Sequence, residues 1–319
     1  MSLVLVKEGI FNTVQDLGRE GFRRFGVNPA GTMDRAATRL INILLGNDEN
    51  EAVLELHFPS GEIHFESDAT LALGGGDFSP AIDLEPISNW RVVSLTKKST
   101  LRFTSKLKGE RTYLAVKGGF KIDQWLGSKC TNLAASVGGV DGRRLRLGDR
   151  IEFSSETGHD RVKKRPSVST SLIPHYSRFP TVRILAGAEF DCLTDQSQET
   201  LFDGTFVVSK NSDRMGFRLQ GERLSLHSPI EMLSAAACFG TIQLLPDGQV
   251  IVLMADHQTS GGYPRIAHVI ERDLPLLAQL APNDKVAFHQ VGIVEAEALL
   301  LEFERDLQLL KAGVELSNG

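Results

Sequence analysis

Short runs of apolar residues, separated by glycine, proline or small polar residues, recur along most of the chain. These runs occupy residues 3–6, 52–57, 61–65, 69–73, 91–95, 100–103, 112–116 and 150–153, and later 181–185, 205–208, 241–245, 250–255, 266–270 and 285–288. Runs of this length with turn residues between them are typical of strands in a barrel or a sandwich. The pattern therefore predicts a mainly β protein.

One stretch of the first half has helical periodicity instead. Between residues 34 and 45 the apolar side chains recur at three- and four-residue spacing, which favours an amphipathic helix. Thr32 is placed as the N-cap of this helix and Gly46 lies just past its end. Asp34, near the helix start, is explained by its favourable interaction with the helix dipole.

Two further helices are predicted in the second half. A short one covers residues 273–280, with Asp273 as its cap, and a longer one covers residues 294–311. The apolar stripe of the longer helix consists of Leu299, Phe303, Leu307 and Leu310. Such a stripe is interpreted as a face that packs on the core.

A polar stretch separates the two strand-rich halves. Residues 154–180 lose periodicity and are rich in serine, proline and charged side chains, which is typical of a domain boundary. The prediction is an N-terminal β domain with one helix over residues 1–155, a linker over 156–180, and a C-terminal β domain with a terminal helix over 181–319. A length of 319 residues also favours two domains.

Composition gives no reason to expect a membrane or a nucleic acid as partner. No apolar run approaches the roughly 18–20 residues that span a bilayer, and Lys7 and Glu8 interrupt the first apolar stretch, so we expect a cytoplasmic protein without a secretory signal. The net charge of −5 does not attract polyanions. The basic cluster at residues 161–165 is interpreted as a solvated linker.

Cysteine spacing indicates neither a disulfide framework nor a metal site. Cys130, Cys192 and Cys238 are odd in number and far apart, so we predict reduced, structural cysteines and no bound metal. The chain also lacks the motifs of phosphate loops, dinucleotide-binding turns, nucleophile elbows and zinc proteases. The glycines at 74–76 have no lysine after them and are interpreted as a turn.

The densest polar chemistry follows a predicted hairpin. Pro246-Asp247-Gly248-Gln249 joins two apolar runs and has the residues of a tight turn. The second run leads into Asp256, His257 and Thr259. His257 is a candidate proton shuttle held by Asp256, and Thr259 can orient a carbonyl or carboxylate; the alternative is that His257 only bridges the loop. The adjoining Gly261-Gly262 can present backbone amides to a ligand.

Two other polar clusters compete with this loop. Arg214, within residues 211–216, is suited to clamp a carboxylate or a phosphate because its planar fork bonds two oxygens at once. The alternative is a local pair with Asp213 that holds the turn. The third cluster combines residues 15–19 with 29–35. These residues by themselves predict a ligand-binding β protein and leave its reaction open.

Taken together, five motifs resemble the biotin-dependent carboxyltransferase family, also called allophanate hydrolase subunit 2, which includes KipA and the 5-oxoprolinase subunit PxpC. The motifs, which follow family order along nearly the whole chain, are Thr13-Val14-Gln15-Asp16-Leu17-Gly18-Arg19; Pro29-Ala30-Gly31-Thr32-Met33-Asp34; Leu126-Gly127-Ser128 with Val137-Gly138-Gly139; Ser212-Asp213-Arg214-Met215-Gly216; and Pro246-Asp247-Gly248-Gln249 with Asp256-His257-Gln258-Thr259-Ser260-Gly261-Gly262-Tyr263-Pro264. The resemblance implies two cyclophilin-like β-barrel domains.

The resemblance also implies a function within a complex. Our leading hypothesis is a subunit of an ATP-dependent 5-oxoprolinase, which opens 5-oxoproline to glutamate, or of a closely related amide-processing complex. It is expected to act with a PxpB/KipI-like subunit and a PxpA-like subunit and to be inactive alone. The first alternative is a urea-type carboxyltransferase subunit that moves a carboxyl group from carboxybiotin. The second is a KipA-like regulatory protein that antagonises a kinase inhibitor. The chain lacks an Ala-Met-Lys-Met-type attachment sequence, so any biotin is carried by another protein and no cofactor is bound covalently.

Site residues are carried over from the resemblance motif by motif. The expected catalytic residues are Asp256, His257 and Arg214. The expected substrate-binding residues are Gln243, Gln258, Thr259, Gly261, Gly262, Tyr263, Asp213 and Met215. The chain departs from the family pattern at three positions, with His257 in place of an arginine, Ala235 in place of a glutamate, and Phe239 in place of a proline.

Overall fold

A computed structural model describes residues 1–154 and 166–318 of the chain. The basic cluster at 161–165 and much of the predicted linker lie outside the described residues, so the linear domain boundary stays a prediction. The chain forms two compact units. Unit 1 comprises Met1–Arg19, Asp34–His175 and Phe303–Gly319, and unit 2 comprises Glu20–Met33 and Tyr176–Glu302.

Strands make up most of unit 1. They are β1 (Ser2–Lys7), β2 (Thr13–Gln15), β3 (Val53–His57), β4 (Glu62–Phe65), β5 (Ala69–Asp77), β6 (Pro80–Ile82), β7 (Glu85–Pro86), β8 (Val92–Leu95), β9 (Thr100–Phe103), β10 (Lys108–Val116) and β11 (Arg150–Glu152). They form a six-stranded sheet in the order β11-β1-β4-β9-β6-β7 and a five-stranded sheet in the order β2-β3-β10-β5-β8. All the pairings within these two sheets are antiparallel.

The core of unit 1 lies on the inward faces of these strands. Fully buried residues of one apolar cluster include Leu3, Phe65, Leu71, Leu114 and Phe153. They come from both sheets, so the alternation of apolar and polar residues along each strand directs one face of each sheet into the same core. This arrangement explains why so many short runs in the first half are apolar.

Helix α1 (Arg35–Leu45) is present where the periodicity predicted it, and Gly46 ends it in the left-handed conformation. The predicted cap is wrong: the N-cap is Asp34, whose side chain accepts a hydrogen bond from the Ala37 amide at 2.9 Å. Thr32 lies two residues too early, because the N-cap side chain must reach the amide two or three residues into the helix.

We expect Asp34→Ala to lower the free energy of unfolding of the protein by about 1–2 kcal/mol, because the buried Ala37 amide loses its acceptor. Asp34→Asn keeps a side-chain oxygen at the same position and should cost less. Urea unfolding followed by circular dichroism compares the two variants with the wild type. Equal losses in both variants would show that the charge of Asp34, and not the cap, stabilises the helix.

Unit 2 is built on a closed barrel. Its strands are β12 (Thr181–Ala186), β13 (Phe206–Val208), β14 (Gly216–Gln220), β15 (Ala235–Ala236), β16 (Thr241–Leu244), β17 (Val250–Leu253), β18 (Ser260–Gly261), β19 (Arg265–Val269) and β20 (Lys285–Gln290). The barrel closes in the order β12-β19-β16-β17-β14-β13-β20, and β15 and β18 form a separate two-stranded sheet. The β12–β20 pair is parallel, whereas the other pairs are antiparallel.

The predicted hairpin is confirmed and lies within the barrel. Strands β16 and β17 pair antiparallel with Gln243 opposite Ile251. Gly248 has a φ of +81°, and its amide donates to the Leu245 carbonyl at 2.9 Å. Glycine adopts this dihedral without strain, which explains why the Pro-Asp-Gly-Gln sequence predicts the turn correctly.

The barrel core includes a residue from the early part of the chain. Met33, the last residue of segment 20–33, is fully buried in the same apolar cluster as Ile242, Val252 and Phe288. Segment 20–33 is therefore packed into unit 2 although the residues before and after it belong to unit 1.

The remaining helices differ from their predictions in extent. Helix α2 (Asp195–Asp203) was not predicted, since it buries only Ser197 and Leu201 and has little apolar periodicity. Helix α3 (Leu274–Ala278) follows Asp273, but the Asp273 side chain does not cap it, because both of its oxygens accept hydrogen bonds from Arg183.

The C-terminal helix α4 (Ile293–Asn318) is longer than the predicted 294–311. A Cβ added at Gly313 would meet no neighbour within 4 Å, and a glycine in an exposed helix costs only about 1 kcal/mol. The helix continues through Gly313 to Asn318. Phe303 and Leu307 of the predicted stripe are buried as expected.

The chain is thus mainly β with a few helices, as predicted. A closed barrel is present in unit 2, and the strands of unit 1 form two sheets. Within the described residues, no helix combines the length and the apolar character needed to cross a bilayer.

Candidate functional site

Unit 2 brings Arg214 and Asp256 together at neighbouring ends of β14 and β17. The Arg214 Nε donates to Asp256 Oδ2 at 2.9 Å and the Nη2 donates to Oδ1 at 3.0 Å. A backbone hydrogen bond also joins the two residues: the Asp256 amide donates to the Arg214 carbonyl at 2.8 Å. Arg214 is buried and Asp256 is half-buried. The fork proposed for a ligand carboxylate therefore holds the Asp256 carboxylate in a fixed orientation.

Segment 20–33 supports this pair. Arg214 Nη2 also donates to the carbonyl of Gly31, and the Asn28 side-chain amide donates to the Asp256 carbonyl at 3.0 Å. These contacts join residues 183 and 228 positions apart in the chain. Sequence reasoning missed Asn28, because no local pattern links residues so far apart.

Asp213 and Met215, two of the predicted binding residues, flank the buried arginine. The Asp213 carboxylate accepts hydrogen bonds from the backbone amides of Met215 and Gly216, at 2.8 and 3.2 Å. Asp213 does not pair with Arg214 and instead shapes the turn that leads into β14. Met215 is 49% exposed, so its side chain is available for contact with a ligand or another protein.

His257 is enclosed by its own loop. It is only 1% exposed, and its Nδ1 lies 2.6 Å from the Gln258 carbonyl oxygen. A carbonyl only accepts hydrogen bonds, so Nδ1 carries the proton in this contact. This arrangement holds the loop in place. The role of His257 as a proton shuttle stays a prediction.

Gln243 lies in the barrel wall, on β16. It is next to the loop that contains Gly261 and Gly262, called the glycine loop below. Its side chain is 1% exposed, and its Nε2 donates to the Tyr263 carbonyl at a long 3.5 Å. In the part of the chain that the structure describes, its Oε1 has no hydrogen-bond partner. A Cβ at Gly261 would lie 2.9 Å from the Gln243 Nε2. Glycine at this position therefore leaves room for the amide group of Gln243.

The other predicted binding residues lie on the loop that follows β17. Gln258 and Tyr263 are exposed, and Thr259 is half-buried. Strand β18 pairs with β15, which places Ala235 opposite Gly261. The departure from the family pattern at Ala235 therefore lies directly against the glycine pair. Gly262 faces Met232 and Ser234 with enough room for a Cβ, so its glycine is not required by these two contacts.

Two arginines hold the backbone of the strand opposite this loop. Neither was predicted from the sequence. Arg23 donates to the Ala237 carbonyl. Arg265 donates to both carboxylate oxygens of Glu189, at 3.0 and 2.8 Å, and to the Ala236 carbonyl at 3.3 Å. The Arg265 guanidinium lowers the pKa of the Glu189 carboxyl through these hydrogen bonds. Both arginines fix the backbone of residues 236 and 237, which immediately follow Ala235.

The next residue along this strand carries an exposed thiol. The Cys238 Sγ lies 3.2 Å from Thr241 Oγ1 and 3.9 Å from His268 Nδ1, and the Thr241 hydroxyl is 3.2 Å from the same nitrogen. All three cysteines are free, as predicted, but Cys238 is exposed and does not pack in the core. The hydrogen bond with His268 lowers the pKa of the Cys238 thiol.

We expect Cys238 to react with iodoacetamide at lower pH than a free cysteine, whose pKa is about 8.5. The thiolate is the reactive form, so a lowered pKa moves the rise of the alkylation rate to lower pH. The rate is measured against pH by mass spectrometry of the Cys238 peptide, with Cys238→Ser to assign the product. His268→Gln should move the rise to higher pH, whereas an unchanged profile would contradict the role of His268.

The site is polar and is built from side chains and backbone. Among the described residues, no group of three or more His, Cys, Asp or Glu side chains is arranged to hold a metal ion. Unit 2 offers a fixed carboxylate at Asp256 in one cluster; in another, the buried Gln243 Oε1, which has no hydrogen-bond partner among the described residues, lies beside the backbone of Gly261. A fixed carboxylate can accept a proton and a buried amide oxygen can select an N–H donor, which suits chemistry on an amide, a lactam or a ureido group.

Comparison with known proteins identifies the relatives of this arrangement. The carboxyltransferase domain family, subdomains A and B, matches the chain over residues 25–290. The chain is 37% identical over 306 residues to the 5-oxoprolinase C subunit of Haemophilus influenzae and covers 96% of each protein. It is 36% identical over 297 residues to the 5-oxoprolinase C subunit of Escherichia coli, covering 92% of this chain and 93% of that protein.

The same fold occurs inside a larger enzyme. The crystal structure of the K. lactis urea amidolyase matches 97% of this chain with a TM-score of 0.90 at 24% sequence identity. This chain spans only 20% of that protein. At this level of identity the likeness shows the shared fold and not a shared activity.

Proposed function

Because the chain belongs to the carboxyltransferase domain family, we propose that it is the C-type subunit of a multi-subunit, ATP-dependent 5-oxoprolinase. The observation that supports this proposal most strongly is similarity along almost the full length of both chains to two proteins named as the C subunits of 5-oxoprolinases. The lengths agree, so the match is between whole chains and not between one shared domain and part of a larger enzyme.

The lactam substrate suits the polar groups of the unit 2 site. 5-Oxoproline carries a ring N–H donor, a ring carbonyl and a carboxylate. The Gln243 Oε1, which is buried and has no partner among the described residues, is positioned to accept the ring N–H. A buried acceptor of this kind discriminates strongly against ligands that cannot donate to it.

Ring opening adds water to the ring carbonyl and breaks the carbon–nitrogen bond, so the departing nitrogen must gain a proton and the carbonyl oxygen develops negative charge. We assign the amides near Gly261 and Gly262 to the developing oxyanion. Asp256, oriented by Arg214, exchanges a proton with the reacting groups. In this assignment Arg214 acts through Asp256, because its fork is already occupied.

The proposed reaction needs other subunits besides this chain. We propose a PxpB/KipI-like subunit and a PxpA-like subunit as partners, with ATP consumed by the assembly and with this chain inactive alone. Met215, Gln258 and Tyr263 are exposed and are suited to contact a partner or the substrate that it presents.

A urea-type carboxyltransferase is the second candidate, and the match to the carboxyltransferase domain family favours it. The same Gln243 acceptor fits the N–H of a ureido group, whether in urea or in the ring of biotin carried by another protein. The site residues that would hold such a group are Gln243 and the glycine loop, and the chemistry it would bring is carboxyl transfer.

Co-expression with A-type and B-type oxoprolinase subunits tests the proposal. We expect the three chains to co-purify and to release glutamate from 5-oxoproline only when ATP is present. Urea carboxylation with a biotinylated carrier protein, in place of glutamate release, would support the second candidate. Binding to the B-type subunit without either reaction would point to a KipA-like regulatory role.

A further inference from the structure

Unit 1 contains a buried arginine, Arg19, that has no ion-pair partner among the described residues. Arg19 is 1% exposed and is among the largest fully buried side chains. Its Nη2 donates to the Cys130 carbonyl at 2.8 Å, and its guanidinium lies 4.8 Å from the centre of the Trp125 ring. Within the described residues, its Nε and Nη1 have no hydrogen-bond partner.

Asp16 and Lys129, on the two loops that surround Arg19, are engaged with other groups. Asp16 accepts hydrogen bonds from the Gly18 amide at 2.8 Å, from the Ser128 hydroxyl at 2.8 Å and from the Lys129 amide at 2.6 Å. The Lys129 ammonium pairs with Glu51 at 2.5 Å. The Asp16 carboxylate therefore fixes the loop around Arg19 without forming an ion pair with it.

The walls around Arg19 come from two of the sequence motifs that the unit 2 site leaves unexplained. Residues 13–19 meet residues 126–131 through the Thr131 amide, which donates to the Val14 carbonyl at 2.9 Å. A Cβ at Gly138 would overlap the Cys130 carbonyl and would lie 3.6 Å from the Arg19 Nη2. The glycine therefore lets the chain lie closely against the guanidinium.

Burying an unpaired charge is strongly unfavourable, and a protein normally removes this cost with a counter-ion. A guanidinium with free N–H groups is suited to a planar or tetrahedral oxyanion, which accepts two or more hydrogen bonds at once. We propose that Arg19 anchors a second ligand site of this protein, in unit 1, which binds the oxyanion of a small acid, either a carboxylate or a phosphate.

Trp125 gives the site a means of access. The residue is half-buried, and it exchanges backbone hydrogen bonds with Ser128 at 2.9 and 3.2 Å across a two-residue turn. That turn consists of Leu126 and Gly127, both with positive φ, and a Cβ at Gly127 would meet nothing within 4 Å. The proposed site requires the indole ring to move off the guanidinium, and this turn, exposed at Gly127, is the segment that would have to change.

Thermal unfolding at constant ionic strength tests the site directly. Sodium chloride is replaced stepwise by sodium acetate, sodium propionate or sodium phosphate, and the midpoint temperature is recorded on the full chain. We expect a saturable rise of about 5 °C with at least one oxyanion. A response to acetate and propionate assigns the site to carboxylates, and a response to phosphate alone assigns it to phosphate groups.

Substitutions of Arg19 distinguish an arginine that binds a ligand from one that has only a structural role. Arg19→Met should abolish the saturable rise while leaving the midpoint in chloride buffer unchanged or higher, since an uncompensated buried charge is removed. Arg19→Lys, which keeps the charge without the fork, should weaken the apparent affinity at least about tenfold. The control is Arg144→Met, because Arg144 also stacks on an aromatic ring, that of Phe11 at 4.0 Å, but is exposed.

Two results would overturn the proposal. The first is a wild-type protein whose midpoint rises with none of the three oxyanions. The second is an equal rise in the wild type and in Arg19→Met, or in Arg19→Lys if the methionine variant does not fold. Neither result bears on the proposed 5-oxoprolinase activity, which rests on the residues of unit 2.

Discussion

Replacing Arg214 with alanine is expected to lower glutamate release by the assembled complex about 1,000-fold, the upper range for loss of one preorganised polar group. The same change should lower the free energy of unfolding by about 3 kcal/mol, because the Asp256 carboxylate and the Gly31 carbonyl lose the buried guanidinium between them. Activity is measured as glutamate produced from 5-oxoproline and ATP, and stability by urea unfolding of the isolated chain.

Arg218 provides the matched control for Arg214. It lies on the adjoining strand β14 but is exposed, so Arg218→Ala should leave both quantities near their wild-type values. Asp256→Ala and the double variant complete a cycle, and we expect the double variant to lose less than the sum of the single losses because both changes remove the same ion pair. Full activity in Arg214→Ala and in Asp256→Ala would refute the assignment of the site.

Replacing Gln243 with methionine should lower activity without lowering stability. We expect glutamate release to fall about 100-fold or more, since the ring N–H of the substrate loses its acceptor. The free energy of unfolding should be unchanged or higher, because a buried oxygen without a partner among the described residues is replaced by an apolar side chain of similar volume. The same two assays measure both outcomes.

Gln249 serves as the control for Gln243. It lies on the turn of the same hairpin, and its side chain bonds both backbone groups of Gly221, at 3.2 and 3.4 Å. Gln249→Met should therefore cost a little stability and leave activity intact. Near-normal activity in Gln243→Met would show that the unpartnered oxygen does not contact the substrate.

Local signals in the sequence predicted the framework of the site well. The turn Pro246-Asp247-Gly248-Gln249 specified the hairpin, because proline and glycine preset the dihedrals that such a turn needs. The polar residues that follow it were correctly expected to form a loop next to the barrel. Helix α1 and its glycine end were equally clear, since apolar periodicity and a left-handed C-cap depend on neighbouring residues only.

Competition between partners for one side chain could not be predicted. Asp273 has the sequence position of a helix cap, yet both its oxygens bind Arg183, which lies 90 residues earlier. Arg214 has the features of a ligand clamp, yet its fork binds Asp256, 42 residues later. In each case a charge-assisted pair with a distant residue outweighs the locally expected role.

Contacts between residues far apart in the chain could likewise not be predicted from the sequence. Arg23 and Asn28 contact residues more than 200 positions later, at Ala237 and Asp256, because segment 20–33 is packed into unit 2. The resemblance to the family covered that segment through the Pro29–Asp34 motif, without indicating which contacts it makes. Motif matching thus included residues of this segment that periodicity and turn signals did not single out.

The most direct test of the proposed function is glutamate release by purified A-type and B-type subunits, with and without this chain, at a fixed concentration of 5-oxoproline and ATP. We predict release only when all three chains and ATP are present, with a rate that saturates as this chain is titrated in. Equal release without this chain, or no release from a complex in which all three chains co-purify, would contradict its function as the C-type subunit of a 5-oxoprolinase.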